Sequence, residues 1–343
     1  MKINSQNNFD LMRLLAAIVV VIAHTASISQ YQTFLTLETI FNPKVAVDCF
    51  FIISGFLIFR SYENSSSLKS YLQKRAKRIL PAYVTVIVIS ALGLYFISTA
   101  SFQEYFNGEF FKYIFFNLIT LNFVQSTLPG VFENNVLQTV NTSLWTIKVE
   151  IMFYLAVPII ARILTTTNKA VGITTIYLLS ILYSTAVMGF SDRLSPEVLI
   201  QLEQQLPGQL AFFISGALLY YYYDKFTEWA IPLLSVAGLV IAMHNYFWEI
   251  YFLYPLALGI VTIYSCLLFK YLGNFGRYGD FSYGIYIWHF PILQVFRHFQ
   301  LFNHPGLAIP LLFGCLFLVS YLSWNLVEKP FLRRKSHYVL AEK

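Results

Sequence analysis

The amino-acid sequence predicts an all-α, polytopic bundle of about ten transmembrane helices with both termini in the cytoplasm, and three observations predict it. First, 57% of the 343 residues are hydrophobic and 12% charged, whereas an ordinary soluble domain carries roughly a quarter charged residues. Second, the apolar residues recur in blocks of about 20, the length a helix needs to cross hydrocarbon. Third, Lys and Arg gather in alternate connections between these blocks, as they do on the cytoplasmic side of membrane proteins. This composition excludes an ordinary water-soluble fold. The formal charge of +6 does not point to nucleic acid, because the basic residues lie between apolar blocks and in the tail and form no single basic surface.

Within lipid every backbone amide must be satisfied inside its own segment, so each block is read as a helix. The expected spans are 11–29, 44–60, 79–101, 143–164, 169–190, 207–223, 229–245, 251–269, 281–299 and 307–327. The first block, with Lys2, an apolar run and small residues from Ala23 to Ala26, has the outline of a signal peptide. Arg13 and His24 interrupt that outline and many further blocks follow, so an uncleaved first helix is expected. Segment 110–125, FFKYIFFNLITLNFVQ, is short and is assigned to the outer interface or to a re-entrant segment. Were it to span, the topology after it would invert.

With the N-terminus inside, the inner segments hold Lys2, Arg60, Lys69, Lys74, Arg75, Lys77 and Arg78, then Arg162, Lys169, Lys225, Lys270 and Arg277, and in the tail Lys329, Arg333, Arg334, Lys335 and Lys343. The outer side has only Lys44, Lys112, Lys148, Arg193 and Arg297. The long outer connection 102–142, rich in Asn, Gln, Ser and aromatics with Pro129 and Gly130, suits a cover over a cavity, and the outer loop 191–206 is acidic. Cys49, Cys266 and Cys315 lie in apolar stretches without ligand spacing and read as small hydrophobes. No repeat, low-complexity tract or appended soluble domain is recognisable, so one membrane domain, 1–343, is expected.

An ionisable side chain inside an apolar helix costs several kcal/mol and is a functional-site hypothesis by default. His24, Asp48, Glu150 and His289 qualify, and Arg13 joins them near the inner end of the first helix. Arg13 and His24 are eleven residues apart, which returns within about 20° of the same helical face about 16 Å further along. A cation at the cytoplasmic end suits a phosphate, and an imidazole deeper in the bilayer suits a base or nucleophile. Their separation is comparable with an extended pantetheine arm. The structural alternatives are an Arg13 that snorkels to the interface and a His24 that only bonds a neighbouring helix.

Glu150, in NTSLWTIKVEIMFYL, sits at a depth similar to that of His24, about two turns below Ser143, with Tyr154 one turn deeper. It could orient an imidazole, or pair with Lys148. Asp48 lies in VDCFFIISGFLI, where Ser54 and Gly55 suit close helix packing. His289 precedes Pro291 in FSYGIYIWHFPIL and reads equally as a pocket residue or a packing histidine. Arg75 and Arg78, three apart in SLKSYLQKRAKRIL, read as topology-setting charge, an anionic-lipid contact or a donor-phosphate site. No metal-ligand cluster or Walker-type phosphate loop is evident, so neither a metal nor ATP is expected.

At these same residues the chain resembles the acyltransferase 3 family of membrane acyltransferases, which modify bacterial surface polysaccharides and related acceptors. FDLMRLLAAIVVVIAHT looks like the family's opening pattern of an Arg and, after ten residues, a His. VDCFFIISGFLI with RAKRILPAY resembles its next signature, and SLWTIKVEIMFYL its fourth-helix one. FSYGIYIWHFPI and LVEKPFLRR are similar to its last two blocks. The match runs in order along almost the whole chain. Departures are Lys148, where the family usually has a small or uncharged residue, and FDLMRLLA in place of the frequent LDGLRGIA. Many relatives also carry an extracytoplasmic hydrolase-like domain, and none is recognisable here.

The resemblance implies a multi-pass protein of the cytoplasmic (inner) membrane. It implies an O-acyltransferase, most commonly an O-acetyltransferase, that carries an acyl group from cytoplasmic acyl-CoA to a hydroxyl of a surface polysaccharide or lipid-linked sugar outside. His24 and Glu150 are the expected catalytic residues, and Arg13, Arg75 and Arg78 the donor-binding ones. Asp48, Ser143, Trp145, Tyr154 and His289 are candidates for acceptor binding or support. Acetyl-CoA is expected as donor substrate, with no bound cofactor. Expected partners are membrane lipid, the glycan acceptor and polysaccharide-assembly proteins. The rival class is a transporter or flippase for a polysaccharide precursor, whose intramembrane ionisable groups bind rather than react.

Overall fold

A computed structural model describes residues 6–332. Lys2, Arg333, Arg334, Lys335 and Lys343, counted above toward the inner charge, lie outside the described residues. In chain order the α-helices are α1 Phe9–Ser29, α2 Gln32–Ile40, α3 Pro43–Glu63, α4 Leu68–Gly93, α5 Phe102–Tyr105, α6 Gly108–Leu118, α7 Leu144–Thr166 and α8 Lys169–Met188. They continue with α9 Pro196–Glu203, α10 Leu206–Tyr221, α11 Tyr223–Glu228, α12 Ala230–Tyr246, α13 Tyr254–Leu267, α14 Phe281–His298 and α15 Pro305–Leu322. Among the described residues there is no β-strand.

A helix occupies each of the ten expected blocks, and five meet the length and composition of a membrane crossing: α1, α3, α4 with its extension to Ile97, α8, and α15 with its extension to Phe331. α12 and α13 are shorter apolar helices. The sides of these helices show why hydrocarbon is their solvent. On α8, Val171, Leu178, Leu179 and Leu182 are exposed, an apolar surface that lipid tails cover without cost.

Among the boundaries that differ from the sequence reading are the start of α4 and the end of the last block. α4 starts at Leu68 rather than near 79, so the basic run is helical; Lys and Arg are good helix formers, and Pro81 is carried inside the helix. The last block turns from α-helix into a π-helical segment, Ser323–Glu328, a widening that re-aims the side chains following it.

The chain forms two compact units. The first contains the described residues up to Met12, then Val47–Leu72 and Val149–Asn274. Here α10 packs on α8 and α13, and α13 on α12. Gly55 of α3 lies against the backbone of Phe213, and Gly216 against that of Ile52. Phe153 stacks on Phe213 at 4.0 Å between centroids. Asn8 ties the start of the chain to the end of α13, its Nδ2 donating to the carbonyls of Ser265 and Lys270 and its Oδ1 accepting from Leu272 N–H.

The second unit contains Arg13–Ala46, Gln73–Lys148 and the described residues from Phe275 onward. Its apolar centre joins Val21 and Ile28 of α1 to Phe290, Leu293 and Phe296 of α14 and to Leu312 and Leu316 of α15. Gly284 lets α14 approach the Ser320 backbone. The connection 119–143 lies on α14 through hydrogen bonds. Gln294 Nε2 donates to the carbonyls of Leu137 and Thr139 at 2.7 Å each, while its Oε1 accepts from Asn135.

Candidate functional site

The second unit brings three of the predicted residues together. α1 carries His24, and α14, capped by Asp280 at its N-terminus, carries His289. The two rings lie nearly parallel, 13° between their planes and 5.1 Å between centroids. Nδ1 of His24 lies 2.8 Å from Nε2 of His289. The Ser143 hydroxyl is 3.3 Å from that same Nε2, and Nδ1 of His289 is 2.6 Å from the carbonyl oxygen of Tyr286. Phe290 sets its ring edge-on to His24 at 5.4 Å. His289 is fully buried, and its surroundings are fixed by the segment leading into α7. Asn141 Nδ2 donates to the carbonyl of Ile287 at 2.9 Å, and the hydroxyls of Thr146 and Tyr286 bond at 2.8 Å.

One face of α1 also carries Arg13, about 16 Å from His24 by helical rise. Its guanidinium reaches Asp280 Oδ2 at 3.4 Å. Arg78 of α4 grips the same oxygen with one terminal nitrogen and Glu328 Oε2 with the other at 3.1 Å. Its cationic plane lies over the rings of Tyr283 and Trp324. The opposite oxygen of Asp280 accepts from the Ser282 backbone N–H at 3.1 Å and from the Ser282 hydroxyl, and Glu328 Oε1 accepts from Ser323 at 3.0 Å. Burial alone would raise the Asp280 carboxyl, but the guanidiniums of Arg78 and Arg13 and the bonds from Ser282 hold it below its ordinary value. Gly279 turns the chain into this cluster at φ +121°, and Trp324 occupies the space a Cβ would need. Arg75 is half-buried one turn earlier on α4.

The other predicted residues are placed as follows. Within the first unit Glu150 accepts from the Tyr154 hydroxyl at 2.6 Å and from the Ser54 hydroxyl at 3.4 Å, and the Tyr154 carbonyl accepts from Tyr71 at 3.1 Å. Asp48 is buried on α3 of that unit. In the second unit Trp145 is half-buried in the first turn of α7, and the buried Lys148 lays its ammonium 5.3 Å from the centre of the Phe123 ring. Among the described residues no group of three or more His, Cys, Asp or Glu is placed to hold a metal ion.

Sequence reasoning missed Asp280, Glu328, Asn141 and Gln294. Asp280 had a signal, an Asp two residues before Ser282 at a helix start, which is an N-cap pattern. Glu328 stands one residue beyond the expected last span, outside the apolar block in which a charge would stand out. Asn141 and Gln294 carry no local signal, because their partners are more than 140 residues away.

Residues 6–325 match the model of an acyltransferase family, described as an acyltransferase domain. The chain is 28% identical over 347 residues to a protein of Shigella phage Sf6 named O-acetyl transferase, covering 97% of this chain and 98% of that one. It is 25% identical over 359 residues to Nodulation protein 10 of Rhizobium leguminosarum bv. viciae, covering 97% and 95% respectively. No solved structure matches the chain.

Proposed function

The chain belongs to the acyltransferase 3 family, and from that premise we propose that it is a transmembrane O-acyltransferase using cytoplasmic acyl-CoA. The acceptor is a hydroxyl of a surface polysaccharide or lipid-linked sugar on the outer side of the inner membrane. The name O-acetyl transferase carried by the phage relative favours acetyl as the acyl group. The observation that carries this reading is the arrangement along α1 within one unit. Arg13 meets Arg78 at Asp280, and eleven residues further on His24 meets His289. This reading puts the donor's phosphates at the ion-paired cluster of Arg13 and Arg78, with Arg75 one turn away on α4, and its thioester at the imidazole about 16 Å along α1.

In the transfer, the acceptor oxygen bonds the acyl carbon as the thioester C–S bond breaks. His24 takes the hydroxyl proton and returns it to the departing CoA thiolate. The other route consistent with the same ring is a transient acyl-imidazole that the hydroxyl then opens. Holding donor and imidazole on one rigid helix face supplies the positioning on which either route depends.

The test is transfer of labelled acetyl from acetyl-CoA in membranes carrying wild-type or His24→Ala protein, with the cell's own surface glycans as acceptor. Replacement of the base is expected to lower glycan labelling at least roughly 100-fold. Wild-type labelling by His24→Ala would remove His24 from the chemistry. Failure of acetyl-CoA both to bind and to turn over would give precedence to a carrier.

A further inference from the structure

We propose that His289 is a positioning residue that fixes the tautomer of His24 and so leaves Nε2 of His24 as its unprotonated atom. The inference rests on the acyltransferase reading and deepens it. The Tyr286 carbonyl oxygen, 2.6 Å from Nδ1 of His289, has no proton to give, so in this contact Nδ1 carries the hydrogen. A neutral imidazole carries one N–H. Nε2 of His289 is then a lone pair, and the 2.8 Å contact to Nδ1 of His24 is made by the hydrogen on His24. With its own single proton committed to Nδ1, His24 presents Nε2 as base or nucleophile.

With His289 in that tautomer the Ser143 hydroxyl, 3.3 Å from the same Nε2, can only donate to it, as the longer of two contacts on one lone pair. The reverse arrangement, with hydrogen on Nε2 of His289, would set the Tyr286 carbonyl against a ring lone pair in a fully buried site. Catalytic histidines are commonly oriented by a carboxylate. Here a neutral ring anchored to the backbone does so, and it sets the tautomer without placing a negative charge beside His24. When the acceptor hydroxyl gives its proton to Nε2, its oxygen bonds the acyl carbon, the C–S bond breaks, and the proton passes on to the CoA thiolate.

Two substitutions separate this role from packing. Gln at 289 reaches with its amide oxygen to where Nε2 of the ring sits; Asn reaches only to Nδ1 and leaves Nδ1–H of His24 unmet. The measurement is acetyl transfer from labelled acetyl-CoA in membranes containing wild-type, His289→Gln, His289→Asn or His24→Ala protein, with kcat and KM for acetyl-CoA and the thermal unfolding midpoint of each. His289→Asn is expected to lose roughly 100-fold or more in kcat, with KM changed less than about threefold, while His289→Gln stays within about tenfold of wild type. Equal activity of the Asn and Gln variants, or a loss in both that tracks the unfolding midpoint, would overturn the tautomer role. His24→Ala inactive beside a fully active His289→Asn overturns this inference alone, whereas an active His24→Ala overturns the acyltransferase chemistry assigned to His24 as well.

Discussion

Arg78 directs its two terminal nitrogens at two different carboxylates, Asp280 and Glu328, both 2% exposed at the side chain. The planar fork serves both at once from two separate nitrogens, where an ammonium would have to reach both oxygens from one. Lysine would keep the charge that a purely topological role requires, yet leave one buried carboxylate without its partner. Arg78→Lys is therefore expected to destabilise by about 3 kcal/mol, the scale for breaking a buried pair on one side, read as a lower unfolding midpoint in detergent. Unchanged stability would return Arg78 to the role of inner-side charge. This residue also shows how far the sequence could be read. The rule that ionisable groups do not sit in lipid without a reason found His24, Asp48, Glu150 and His289 one at a time. It could not show that Arg13 and Arg78 share Asp280, because that meeting depends on contacts across more than 200 residues of chain.

At the scale of elements, α3 and α10 cross with their backbones in close approach at two glycines. A Cβ on Gly216 would lie 2.0 Å from the Ile52 carbonyl oxygen, and one on Gly55 1.9 Å from that of Phe213. In lipid, helices associate by such close packing, since hydrocarbon gives no hydrophobic drive between them. Gly216→Ala forces backbone against backbone with no side chain free to rotate away, and a loss of about 2 kcal/mol or more is expected. Gly238→Ala in α12, where a Cβ meets nothing within 4 Å, should be neutral or slightly stabilising, because alanine favours the helix. Thermal unfolding of the two variants side by side checks this, and equal midpoints would contradict the packing account. The small-residue signal at Ser54 and Gly55 was legible in the sequence as close packing, but its partner helix was not. Block periodicity located the helices well and their ends poorly. The basic run before Pro81, with Arg75 and Arg78 three apart on one helical face, falls outside the apolar block because it is polar, yet lysine and arginine propagate a helix readily and α4 continues back through it to Leu68.

For the whole molecule the question is which ends of the helices share a side of the membrane. Segment 110–125 decides the parity, and in the structure its helix, α6, has 11 residues. At 1.5 Å per residue that is about 16 Å, roughly half the hydrocarbon thickness. The ion cluster gives a second, independent reason. Arg13 and Arg78 stand at the starts of blocks that leave the N-terminal side, while Asp280 and Glu328 come after the segment in question. With each of the ten expected blocks taken as a crossing, a further crossing there would put the two arginines and the two carboxylates on opposite sides of about 30 Å of hydrocarbon. They meet at 3.1 to 3.4 Å within one unit, which favours a short, non-crossing segment. Joined with the bias of Lys and Arg, this parity predicts that the connection between α3 and α4 faces the cytoplasm and the one between α8 and α9 faces out. Single cysteines test it after Cys49, Cys266 and Cys315 are replaced by serine: Ser191→Cys should react with a membrane-impermeant maleimide in intact cells. Ser66→Cys should react only once the membrane is opened. Labelling of Ser66→Cys in intact cells would invert the molecule, place the arginine cluster outside, and leave no route for a cytoplasmic acyl-CoA to reach it.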